Sequence, residues 1–127
     1  MDEARDWLRI ARSNLRLGAS YNKLLDNEIR FEELCFELQQ CAEKSLKALL
    51  IHRGVKFPRT HAIAELLDLL IENGVLVPSE IIDSAKLTQY AVEARYPDVG
   101  SSVTEDEYRR ALELARMVYG WVENQLS

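Results

Sequence analysis

Apolar residues recur along the chain at three- and four-residue steps, and no stretch alternates every second residue for long, so helices are the predicted elements throughout. Asp2 is placed to cap a first helix whose apolar face runs Ala4, Trp7, Leu8, Ala11 and Leu15, then on to Leu24 and Leu25 before Asp26-Asn27-Glu28 ends it. A second helix begins between Arg30 and Glu33. Its stripe is Leu34, Cys35, Leu38, Ala42, Leu46, Leu49 and Leu50, and Gly54 stands where a C-terminal glycine belongs. After the loop Val55 to Arg59, Thr60 is positioned to cap a third helix carrying Ile63, Leu66, Leu67, Leu70 and Ile71, which Asn73-Gly74 stops. Pro78-Ser79 opens a fourth, through Ile81, Ile82, Ala85, Leu87 and Ala91 to about Ala94, and Tyr96 to Ser102 reads as a loop. Thr104-Glu105-Asp106-Glu107 is a capping box ahead of a fifth helix with Tyr108, Ala111, Leu112, Ala115, Val118, Tyr119, Val122 and Leu126 in its amphipathic pattern.

Short connections between helices predict an all-α, up-and-down bundle of four to five helices, and 127 residues suffice for one domain spanning 1–127. The formal net charge of -5 argues against a general nucleic-acid coat or a protein that spreads on anionic membranes. No apolar run reaches the length of a membrane span, and the charged N-terminus is no secretory signal. Cys35 and Cys41, six apart on one helix, fall on different faces. They read as two free thiols in the core, which suits a cytoplasmic setting.

Against that acidic background, basic and imidazole side chains gather after the second helix: His52, Arg53, Lys56, Arg59 and His61. Arg53 suits the negative pole of a helix end. Lys44 and Lys47 share a face, and Glu43 with Lys47 forms an i,i+4 pair expected on a solvated surface. Gln39 falls beside the buried stripe, where its amide must find partners between helices or on a ligand. His61 is expected in the first turn of the third helix, where the dipole disfavours an imidazolium, leaving a neutral ring able to exchange a proton near neutral pH. A second cluster is Tyr90 to Asp98, with Arg95 at a helix end between Tyr90 and Tyr96, a platform for base stacking and phosphate contact. No glycine-rich phosphate loop, paired catalytic carboxylates or metal-ligand spacing stands out, so no cofactor or metal is expected.

Trp7 with the first amphipathic helix, FELQQCAEKSLKALLIHRG from Phe36, FPRTHAIAELL from Phe57 and LTQYAVEARYPD from Leu87 together resemble the HEPN family of small all-α proteins, over about Ala4 to Val122. The resemblance implies a helical bundle, a homodimer, and a minimal nucleotidyltransferase as partner in a toxin-antitoxin-type pair. It further implies contact with a nucleotide or RNA phosphate, for which Arg95, Tyr96, Tyr90, His61, Arg59 and Arg53 are the candidate residues. Catalytic members of the family are metal-independent ribonucleases with an arginine, four to six residues, then a histidine. Here Arg95 is followed by Tyr96 to Ser102 without a histidine, Arg59 and His61 are separated by one residue, and Arg53 and His61 by seven. The expected function is therefore a binding and partner module. The alternative is an endoribonuclease in which Arg95 and His61 supply the catalytic groups.

Overall fold

The computed structural model describes residues 2–22, 28–92 and 103–127. Its elements are α1 (Glu3–Gly18), α2 (Phe31–His52), α3 (Ile63–Glu72), α4 (Ser79–Ile82), a 3₁₀ segment (Asp83–Thr88), α5 (Gln89–Val92) and α6 (Glu105–Leu126). The described residues are all helical or irregular, and the helices form an up-and-down bundle. No helix among them is long and apolar enough to cross a membrane.

α2 is the central element. Fourteen of its 22 residues are buried, so it is covered on almost every side. α1 runs antiparallel to it: Asn14 near the end of α1 donates to Glu37 near the start of α2 at 2.8 Å, while Trp7 lies beside Lys47 further along. α6 runs alongside α2 and opposite to α1, with Tyr108 stacked on Phe31 at 5.3 Å and Arg5 donating to the Leu126 carbonyl at 3.0 Å. Leu38, Leu46, Leu50, Leu66, Leu70, Ala115 and Val118 are fully buried where these helices meet.

Local chemistry fixes the helix ends. Asp2 accepts the Arg5 amide at 3.2 Å, and Thr104 and Glu107 form the reciprocal capping box ahead of α6. α2 ends in a Schellman turn: Gly54, at φ 71°, donates to the Ile51 carbonyl and Val55 to that of Leu50. Gly74, at φ 86°, repeats the arrangement after α3 with Ile71 and Leu70.

Three expectations are corrected. α1 stops at Gly18, not near Leu25, because Gly18 is pressed against α2 and its carbonyl is taken by the buried Tyr108 hydroxyl at 2.6 Å. A Cβ on Gly18 would lie 2.5 Å from Leu38 Cδ2, so only glycine permits this approach. Leu24 and Leu25 lie outside the described residues. The expected fourth helix is broken: from Asp83 to Thr88 it tightens to 3₁₀ geometry, where the buried Ser84 hydroxyl bonds back to the Ile81 carbonyl. α3 begins at Ile63, two residues after His61. Thr60 takes the Ala62 amide, and the first helical amide, that of Ile63, is capped by the hydroxyl of Thr88 from the 3₁₀ segment at 3.0 Å.

Candidate functional site

Four long polar side chains of α2 do not face solvent. Gln39, Gln40, Glu43 and Lys47 occur at steps of one, three and four, which places them on one side of the helix. All four are buried, Gln39 completely. Burial obliges each to find a partner, and they find one another. Gln40 donates to the Gln39 side-chain oxygen at 2.9 Å, Gln39 donates to Glu43 at 3.1 Å, and Lys47 donates to the other Glu43 oxygen at 2.9 Å. The expected Glu43–Lys47 pair is thus present, but in the interior and not on a solvated face.

The network reaches out to the loop that leads into α3. Gln39 also donates to the His61 carbonyl at 3.3 Å, and His61 Nδ1 sits 2.9 Å from Glu43 Oε1. Lys47 lies 5.9 Å from the centre of the Trp7 ring and 5.7 Å from that of Phe57, and these two rings meet edge to face at 6.4 Å. Phe57 is half-buried against the core and seats the loop, whereas Pro58 is exposed. Residues from α2 and the loop therefore converge on one carboxylate, and Trp7 of α1 packs against its lysine partner.

Electrostatics keeps that carboxylate charged. Burial pushes the Glu43 carboxyl up, but hydrogen bonds from Lys47, His61 and Gln39 outweigh it and hold the group below its ordinary value. An ionised Glu43 accepts, so Nδ1 of His61 carries the hydrogen, and Nε2 of the neutral ring is left as an acceptor. The imidazole is 67% exposed while Glu43 is only 4% exposed, so the ring is anchored at one nitrogen and presented to solvent around the other. A carboxylate-oriented histidine of this kind can bind an anion when protonated or accept a proton when neutral.

The candidate residues divide as follows. His61 lies ahead of α3 and not in its first turn, so a carboxylate and not a helix dipole sets its environment. Arg53 terminates α2 and Arg59 precedes His61 by two residues. Both are exposed, as is Lys56, and none of the three has an ion-pair partner among the described residues. Tyr90 is buried in α5 and lines a pocket of about 180 Å³ with Leu87, Gln89, Glu107 and Arg110. Arg95 and Tyr96 lie outside the described residues. Cys35 and Cys41 are fully buried, and burial is the main cause that raises both thiols to about 12.

Glu43 is the residue hardest to single out from sequence, because an i,i+4 glutamate-lysine pair is the commonest of surface features. The available signal is its position: four residues beyond Gln39 and flanked by the buried Ala42 and Leu46. Trp7 and Phe57, as the walls around Lys47, need the tertiary fold.

The sequence profile described as HEPN domain matches residues 4–125. Among solved structures, the chain is similar to TT1696 from Thermus thermophilus, with 38% identity, a TM-score of 0.83, and coverage of 99% of this chain and 100% of that one. It is also similar to ST0689, an archaeal HEPN homologue, with 28% identity, a TM-score of 0.74 and full coverage of both chains. No protein of curated function matches the chain.

Proposed function

The chain belongs to the HEPN family, and from that premise we propose that it is a binding and partner module. In this role it dimerises, holds a phosphate of a nucleotide or RNA, and pairs with a minimal nucleotidyltransferase in a toxin-antitoxin-type couple. The observation that carries the phosphate part is the anchored imidazole: His61 is fixed through Nδ1 to buried Glu43 and exposed around Nε2, at the end of a loop bearing the exposed Arg53, Lys56 and Arg59. Exposed cations without internal partners cost little to bring to an anion, and guanidinium forks match phosphate oxygens. Arg95, Tyr96 and Tyr90 extend the proposed contact residues from the other cluster. No metal or cofactor enters this role. A cytoplasmic setting is proposed with it, where the two buried thiols stay reduced.

The test is fluorescence anisotropy with a labelled single-stranded RNA and with a labelled nucleotide. Arg53→Ala/Arg59→Ala and Arg95→Ala are each expected to weaken binding about tenfold, in line with charge-assisted hydrogen bonds. Unchanged affinity in both variants removes the phosphate role.

The orientation of His61 by Glu43 favours one further reading, a metal-independent endoribonuclease with Arg95 as the phosphate contact. The chemistry would run through Nε2 accepting the proton of a ribose 2'-hydroxyl as that oxygen attacks the adjacent phosphorus and the 5'-oxygen leaves. Cleavage in the presence of a chelator that disappears in His61→Ala would establish it. A well-folded wild-type protein that cleaves nothing leaves the binding role.

A further inference from the structure

Two helix faces carry rows of opposite charge with exposed apolar side chains nearby. On α1, Arg9, Arg12 and Arg16 follow one another at three and four residues and so form one ridge, with the exposed Ile10 and Leu17 beside it. Arg9, Arg12, Ser13, Arg16 and Leu17 line a shallow, open depression there. Arg9 is paired within the helix to Asp6, but Arg12 and Arg16 have no ion-pair partner among the described residues. On α3, Glu65, Asp68 and Glu72 repeat the same spacing of three and four, all exposed and likewise without ion-pair partners among the described residues. Ile71 stands beside them, Leu76 follows in the next connection at 93% exposure, and Ile82 closes α4.

We infer that the α1 face of one molecule docks on the α3 face of a second copy of this chain. Each triplet of charges spans eight residues, about 10 Å along its helix, so the two rows match in length as well as in sign. The apolar residues beside each row supply the burial that surface ion pairs alone do not. Arginine is also among the residues enriched at protein interfaces. The inference rests on the dimerisation proposed above and assigns it a surface.

Sedimentation velocity on charge-reversed variants tests it. Arg12→Glu/Arg16→Glu places acid against acid, and Glu65→Lys/Asp68→Lys/Glu72→Lys places base against base. Each variant alone is expected to raise the dissociation constant roughly tenfold or more. An equimolar mixture of the two is expected to reassociate, because acidic α1 then meets basic α3 and the reverse. The substituted positions are exposed, so circular dichroism and melting should match wild type. Wild-type protein that self-associates but is insensitive to both variants, or a mixture that stays monomeric, overturns this interface and leaves dimerisation standing. A wild-type protein that is monomeric at high micromolar concentration overturns both.

Discussion

A single buried carboxylate, Glu43, accepts from three side chains brought by two parts of the chain. Removing it strands the Lys47 ammonium between Trp7 and Phe57 without a counter-charge. Glu43→Ala is expected to cost about 3 kcal/mol in urea unfolding, and adding Lys47→Met in that background is expected to recover much of the loss. If the double variant is no more stable than the single one, the ion pair is not the main role of Glu43. The acid dependence follows from the direction of the Glu43 shift. Its folded-state value lies below the unfolded one, so its contribution is fully present above the ordinary glutamate range. That contribution is lost as the pH falls through the folded value, and an acid titration of wild type should be steeper there than that of Glu43→Gln. Residue-level roles are the least legible in the sequence. Gln39 can be marked as an amide beside the stripe, but its contact with the His61 carbonyl depends on a loop that folds back along α2.

Helices, by contrast, are written plainly in spacing and caps. Asp2, Thr104 with Glu107, Gly54 and Gly74 mark ends that the structure reproduces, because capping is local chemistry within a few residues. The end of α1 escapes the sequence because its cause is distant: the apolar pattern continues past Gly18, but packing on Leu38 and the Tyr108 hydroxyl decide the stop. The start of α3 escapes it for a similar reason, since its cap, Thr88, comes from 25 residues away. Two glycine substitutions separate these kinds of cause. Gly18→Ala forces Leu38 and the Leu34 carbonyl aside and is expected to destabilise by about 2 kcal/mol, as overpacking does. Gly54→Ala meets no atom within 4 Å and is expected to lose only about 1 kcal/mol, from its left-handed backbone. Thermal or urea unfolding of the two variants gives the order, and a larger loss at Gly54 would contradict it.

In the whole molecule, α2 is enclosed by α1, α6, α3 and the 3₁₀ segment, and its polar side chains Gln39, Gln40, Glu43 and Lys47 bond to one another inside. The all-α bundle is legible because five periodic segments with short connections admit few other arrangements. The enclosure of α2 is hidden, since Gln39, Gln40, Glu43 and Lys47 are residues that usually mark an outer face. This arrangement has a kinetic consequence. Backbone amides from Leu38 to Leu50 have no route to solvent short of opening the entire bundle, so their hydrogen exchange should report the global unfolding free energy. The loop from Val55 to His61 is tied down by Phe57 and a few hydrogen bonds, and its amides should exchange through a smaller, local opening that detaches His61 from Glu43. Native-state exchange mass spectrometry would resolve two populations, and the lifetime of the closed loop would set how long the imidazole stays in position.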